Sequence, residues 1–349
     1  MAKSVQQIAI EFDRDDHSRP HDWDTFNEIH QQLTFYNKTH YCQYLPTVGA
    51  EHADFENRLH DWLCNHGLTE PQRKLLLRLA PRIIFLNRED FTQLQRSAFA
   101  GPITRWIVDE LDMSFGDAAL DEKIQRELHN HTWFTSITDS MRIADFHHAN
   151  NLGGIDFRPD WRSLQQFGDP TKIKEFMAGH TRNGENRPIK RIVILEDFVG
   201  SGTQMSSQGG CVAFAASQFP DVSILLVPLV VCPEGASKSI QLASQFSNVR
   251  FEPILQLRRE DLILGDTPSA VSDYEHELVQ LANDIYTFVE GDGAGAPRPY
   301  HALGFSGHAR NPTGAIVVMY SNTPANTLPL IHHESSAWNP LFPRSARIR

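Results

Sequence analysis

The chain has 349 residues, a hydrophobic fraction of 40% and a formal net charge of −11. That is enough apolar material for one large decorated domain or two domains, and the acidic balance lowers the expectation of broad nucleic-acid binding without excluding a local basic groove. No apolar run has the length of a membrane helix, the start MAKSVQQIAIEFDRDD lacks the apolar core of a signal peptide, and the four cysteines form no CxxC pair, which together suit a cytoplasmic protein with reduced thiols.

Residues 1 to about 20 are polar and read as irregular. From about 21 to 130 the period is helical. FENRLHDWL places Phe55, Leu59, Trp62 and Leu63 on one face. PQRKLLLRLA comes next, with Thr69 as N-cap and Pro71 in the first turn. REDFTQLQRSAF and GPITRWIVDEL read as two more helices. This gives a helical N-terminal region, residues 1–130, either a cap on the next domain or a winged-helix-like module. Arg78, Arg82, Arg88 and Arg96 form a basic patch or, as is common for interspersed charge, a solvated helix surface.

From about residue 131 the texture changes to that of a second domain, 131–349. TWFTSI (132–137) is β-prone, TDSMR (138–142) comes after it, and IADFHHANNLGG reads as a short helix stopped by Gly153 and Gly154. PDWRSLQQF and PTKIKEFMAG are short helical pieces, and HTRNGENRP (180–188) reads as a mobile polar loop. RIVIL is apolar on both faces, as a central parallel strand covered on both sides must be. Residues 204–218 read as helix, VSILLVPLVV as a second buried strand, SKSIQLASQF as helix and NVRFEPIL as a third strand. SDYEHELVQLANDIYTFVE is an amphipathic helix, GDGAGAPRP a loop, and AIVVMY (315–320) a last strand. The alternation predicts an α/β sheet with flanking helices.

Chemistry concentrates at EDFVGSGTQ, residues 196–204, directly after RIVIL. In open α/β sheets ligands bind beyond the carboxyl ends of the strands. Gly200 and Gly202 allow close backbone approach, Ser201 and Thr203 bring hydroxyls, and amides opening a helix make an anion nest. Glu196 and Asp197 do a different job, since carboxylates accept from paired hydroxyls such as a ribose diol. Acids at one end and an anion nest at the other suit a ribose 5-phosphate. A Walker loop lacks its lysine here, and Met205 stands at the third glycine position of a dinucleotide fingerprint. The alternative is a tight strand-to-helix turn with no ligand.

IVILEDFVGSGTQ resembles the ribose-phosphate loop of type I phosphoribosyltransferases, which has four apolar residues, two acids and a Thr/Ser/Gly loop. The resemblance gives Glu196 and Asp197 the diol-binding role, and Gly200, Ser201, Gly202, Thr203 and Gln204 the phosphate loop. Gln204 departs from the threonine the family prefers, and Gly200 is also unusual. TWFTSITDSMRIADFHHANNLGGIDFRPDW and the tail VVMYSNTPANTLPLIHHESSAWNPLFPR resemble phosphoribosyltransferase-like proteins of bacterial conflict systems, some of which accompany retrons. That similarity spans most of residues 70–345. It implies a phosphoribosyltransferase-like parallel sheet with flanking helices, preceded by a helical region. It further implies a ligand such as phosphoribosyl pyrophosphate (PRPP) or a nucleotide, Mg²⁺ carried by the pyrophosphate, protein partners from a defence operon, and an antiviral effector role.

By the same resemblance the loop TDSMR binds pyrophosphate through Asp139, Ser140 and Arg142, a helix N-cap at Asp139 or Ser140 being the alternative. His147 and His148 diverge by about 100° on a helix, so one is expected buried and the other exposed, with no shared metal. His332 and His333 face the same constraint. Asn322, Pro324 and Asn326 either touch a base or ribose or simply form Asx-turns, the latter favoured. Two activities are consistent with these residues: an enzyme acting at the glycosidic carbon, and a non-catalytic nucleotide sensor or nucleic-acid-contacting subunit of a defence complex.

Overall fold

The computed structural model describes residues 3–15, 24–47, 54–114, 116–153, 170–182, 185–206, 211–264, 273–286, 289, 300–305 and 312–345. The expected helix PDWRSLQQF and the loop GDGAGAPRP lie outside the described residues. The chain divides into two compact units, Met1–Arg88 with Glu260–Arg349, and Glu89–Arg259. The expected boundary near residue 130 coincides with neither unit's limits.

The second unit is built on a parallel sheet. Its strands are β1 (Thr132–Ser136), β2 (Arg191–Val199), β3 (Ser223–Val231), β4 (Val249–Phe251) and β5 (Leu255–Gln256). The order is β1-β2-β3-β4, with β5 also pairing β3, and every pairing is parallel. All nine residues of β2 are buried, which is why its first half, Ile192 to Leu195, runs apolar on both faces. One face packs Trp133, Ile192, Ile194, Ile224 and Leu226 with the helix residues Val212, Ala215, Ala216 and Leu242. These come from the helices Cys211–Gln218 and Pro233–Gln245.

Three helices from the span expected as the N-terminal region, two of them read from the sequence, belong to this unit. Helix Leu120–Asn130 leads into β1, and its Glu127 pairs with buried Arg191 at 2.8 Å. Helix Thr104–Glu110 reaches the amino ends of the strands, where Asp109 accepts from Arg250 at 2.9 Å and Glu110 from Ser223 at 2.7 Å. Arg88–Ala98 forms as expected, and a π-helical turn, Phe99–Ile103, accommodates Pro102 between it and Thr104–Glu110.

The first unit is largely helical. Thr69 caps Glu70–Leu79 with Gln72 accepting from its N–H at 2.9 Å, and Phe55, Leu59, Trp62 and Leu63 are all buried, as the spacing predicts. The opening segment is not irregular. Val5–Asp15 is a helix that buries Val5, Ile8, Ala9 and Phe12, an i, i+3, i+4, i+7 stripe that the charged run after Phe12 disguises. The expected last strand also differs. Among the described residues Val317–Met319 pairs in parallel with Ile84–Leu86 as a two-stranded sheet of this unit, with one further bridge from Met319 to Asn322. The tail after it is held by the N-terminal helices. Trp62 and Trp338 both donate their indole N–H to Leu330 O, at 2.8 and 3.0 Å. The expected basic patch is partly used internally, with Arg78 over the Phe26 ring and Arg82 over that of Tyr274. No described helix is long and apolar enough to cross a membrane.

Candidate functional site

β2 does not stop at Leu195. Phe198 and Val199 continue the ladder opposite Val230 and Val231, so the two central strands end together and the acids lie inside the strand. Glu196 and Asp197 are each only 3% exposed. A buried carboxyl needs partners, and the register supplies them. Ser136 of β1 sits beside Leu195, so the chain leaving β1 passes directly over the acids. The Thr138 N–H donates to Glu196 Oε2 at 3.0 Å, and Thr138 Oγ1 lies 2.6 Å from Glu196 Oε1. Ser140 Oγ donates to Asp197 Oδ1 at 3.1 Å, and the Phe198 N–H donates to the same oxygen at 2.8 Å. Thr138 Oγ1 and Ser140 Oγ are 2.5 Å apart.

These contacts form a short chain: Glu196, Thr138, Ser140, Asp197. Its three oxygen–oxygen contacts need three protons, and the two hydroxyls supply two. A proton on one of the two carboxyls would supply the third. The electrostatics agree. Burial, and then the neighbouring Asp197 charge, push the Glu196 carboxyl well above its usual 4.5. The folded state therefore holds a proton that the unfolded state has released once pH exceeds 4.5. Stability should fall as pH rises from there toward the folded pKa, by about 1.4 kcal/mol per pH unit. Glu196→Gln keeps both an acceptor and a donor and should flatten that slope in denaturation curves taken across the range. An unchanged slope would assign the titration to another group.

The loop after β2 is held from one side. Gly200, Ser201 and Gly202 are buried, Thr203 is half-buried and Gln204 is exposed. Gly202 has φ +69, a left-handed conformation that favours glycine. Helix Pro233–Gln245 starts immediately after β3, with Pro233 in its first turn. Its Lys238 Nζ donates to Ser201 O at 2.6 Å and to Glu234 Oε1 at 2.8 Å. Its Gly235 lies so close to the loop that a Cβ there would stand 2.6 Å from Gly200 O. The expected helix over 204–218 is helical in its described parts, Thr203–Ser206 and Cys211–Gln218, and residues 207–210 lie outside the described residues. Met205 is 1% exposed and belongs to the core, so side-chain packing fills the third glycine position.

Asp139, Ser140 and Met141 form a single 3-10 turn; Asp139 and Arg142 are exposed and Ser140 is half-buried. Thus the structure joins two stretches, 138–140 and 196–197, that sequence treats as separate loops. Arg142 is left-handed at φ 48 and precedes helix Ile143–Ala149. His147 of that helix is buried against Phe134 and Phe146 while His148 is exposed, as expected. His332 is buried in the first unit, its Nε2 3.1 Å from Thr327 O, and burial holds its pKa down to about 3. Asn322 Oδ1 accepts from the Thr323 and Ser345 N–H groups, and Asn326 donates to Phe305 O and Thr313 Oγ1. These bonds hold the loop in place, but none is an Asx-turn, in which the side-chain oxygen accepts from the N–H two residues on.

Sequence reading missed Thr138, Gly235 and Lys238 as parts of the site. For the last two the signal was CPEGASK after an apolar strand, with Pro at the first helical position and Gly two residues later.

A parallel sheet with paired acids and a glycine/hydroxyl loop at the carboxyl end of its central strand defines a phosphoribosyltransferase-like protein. The family model PRTase-CE matches residues 59–344, so the chain belongs to the PRTase-CE family. No curated protein and no solved structure matched the chain.

Proposed function

We propose that this protein binds a ribose 5-phosphate ligand, PRPP or a nucleotide, at 138–142 and 196–204 and acts at its glycosidic carbon. The observation that carries the reading is the pairing of two acids with a glycine/hydroxyl loop four residues further along one chain, in a member of a phosphoribosyltransferase-like family. Glu196 and Asp197 would hold the ribose diol. The backbone of Gly200, Ser201 and Gly202, with the Thr203 hydroxyl and exposed Gln204, would hold the 5-phosphate. Asp139, Ser140 and Arg142 would meet the pyrophosphate, arginine giving paired donors. The exposed Asp139 carboxylate has the hard-oxygen chemistry of a Mg²⁺ ligand, and that ion, arriving with the pyrophosphate, would neutralise its charge. The transition state at such a carbon is oxocarbenium-like, so the Asp197 charge and fixed positioning would do most of the catalysis. Incubation with PRPP, Mg²⁺ and a panel of bases, followed by mass spectrometry, tests this. Pyrophosphate release is expected; ligand binding without any product would leave the sensor reading.

The sensor reading has one observation in its favour: both acids are already hydrogen-bonded within the chain. Under either reading the protein would serve as an effector or subunit of a bacterial defence system, with protein partners; a net charge of −11 gives no support to a nucleic-acid partner. Lys238→Met should weaken ribose 5-phosphate binding about fivefold, because the half-exposed Nζ fixes the Ser201 carbonyl. Unaltered affinity would show that the loop needs no such anchor.

A further inference from the structure

Thr138 and Ser140 present two hydroxyl oxygens 2.5 Å apart, one 2.6 Å from Glu196 Oε1 and the other 3.1 Å from Asp197 Oδ1. Two adjacent hydroxyls facing two adjacent acids is the arrangement that a vicinal diol of a furanose would make. We infer that Thr138 and Ser140 are the chain's own occupant of the diol subsite, and that a ribose 5-phosphate binds by displacing them. The inference rests on the ribose-phosphate reading and adds its regulation: the resting site is closed by an internal mimic of its ligand.

Three observations support exchange rather than simple addition. Both acids are 3% exposed, so a ligand cannot reach them while the 138–140 turn stays. The contacts are well made, so the turn leaves only for a ligand that returns equivalent bonds; a buried carboxyl left unpaired would be costly. The turn is also separable from the sheet. β1 ends at Ser136, and the residues that cover the acids, Thr138 and Ser140, are the N-cap and the middle residue of one 3-10 turn, Asp139–Met141, whose Asp139 is exposed. The closed form keeps the buried pair satisfied in the resting protein, and each departing hydroxyl bond offsets part of what the ligand gains.

The test is calorimetric titration of ribose 5-phosphate into the full chain and into Ser140→Ala and Thr138→Val/Ser140→Ala. Removing the competitor should tighten binding by about three- to tenfold, while the ligand-free variants melt lower than the parent. Binding that is unchanged or weaker in both variants, with the parent still binding, would overturn the inference and leave the ribose-phosphate reading standing. Should the double variant not fold, hydrogen exchange on the unaltered protein decides. The Thr138 amide, which donates to Glu196 Oε2, should exchange faster when ribose 5-phosphate is added. Stronger protection of that amide would overturn displacement. No binding by any form at millimolar ligand would overturn both this inference and the reading beneath it.

Discussion

Gly235→Ala is expected to destabilise the protein by about 1–3 kcal/mol and to weaken ribose-phosphate binding at least tenfold. The direction is diagnostic, because alanine in place of glycine inside a helix ordinarily gains up to about 1 kcal/mol. Gly235 lies in the first turn of Pro233–Gln245, where that gain would apply. The new Cβ, however, would stand 2.6 Å from Gly200 O, 2.7 Å from Val199 Cγ1 and 3.0 Å from Val199 O. Two of these atoms are backbone and cannot rotate away. Either the helix or the loop must shift, and the shift falls on the segment proposed to hold phosphate. Denaturant unfolding and ligand titration of the variant check both parts. A more stable variant with parental affinity would show that the helix and loop are less tightly joined than the geometry requires.

Asp197→Asn should lower ligand affinity by about ten- to a hundredfold while leaving the melting temperature within a few degrees of the parent. Asparagine keeps an Oδ1 able to accept from the Phe198 N–H and from Ser140 Oγ, so the local bonds survive. The variant loses the negative charge. With Glu196 protonated, Asp197 carries the charge of the pair, and charge-assisted hydrogen bonds to a diol are about twice as strong as neutral ones. The same loss should abolish turnover if the site is catalytic. Comparison with Glu196→Gln separates the acids. The glutamine variant, replacing a neutral group by a neutral group, should cost less than the asparagine variant. Equal losses would mean that the two acids share the charge more evenly than the hydroxyl chain implies.

Much of the sheet was legible because burial on both faces leaves a plain trace. RIVIL and VSILLVPLVV read as central strands because no polar face interrupts them. The limit of β2 was not legible for the same reason. Glu196 and Asp197 look like an exit from the core, and only the 138–140 turn, brought beside them by the register of Ser136 with Leu195, shows how two carboxyls stay inside. Long-range pairing of this kind leaves no local signal. The Val5–Asp15 helix, by contrast, was readable in principle. Its apolar stripe of Val5, Ile8, Ala9 and Phe12 is regular, and the charged run after Phe12 hid it. The loop expected over 180–188 contains the short antiparallel pair Thr181–Arg182 with Glu185–Asn186. The intervening Asn-Gly dipeptide is a strong hairpin signal that polar composition masked. AIVVMY was correctly β-prone but was assigned to the wrong sheet, since its partner Ile84–Leu86 lies far back in the helical region. The acid-and-glycine loop itself stood out in the sequence, because its chemistry is carried by nine consecutive residues. Its supports, Thr138, Gly235 and Lys238, come from other elements and emerge only from the packing.

The most direct measurement is calorimetric titration of PRPP with Mg²⁺ into the unaltered protein, with ribose 5-phosphate as a competitor. A ribose-phosphate site at 196–204 predicts saturable one-to-one binding that ribose 5-phosphate displaces. Absence of binding at millimolar PRPP, or binding that ribose 5-phosphate fails to compete, would contradict it.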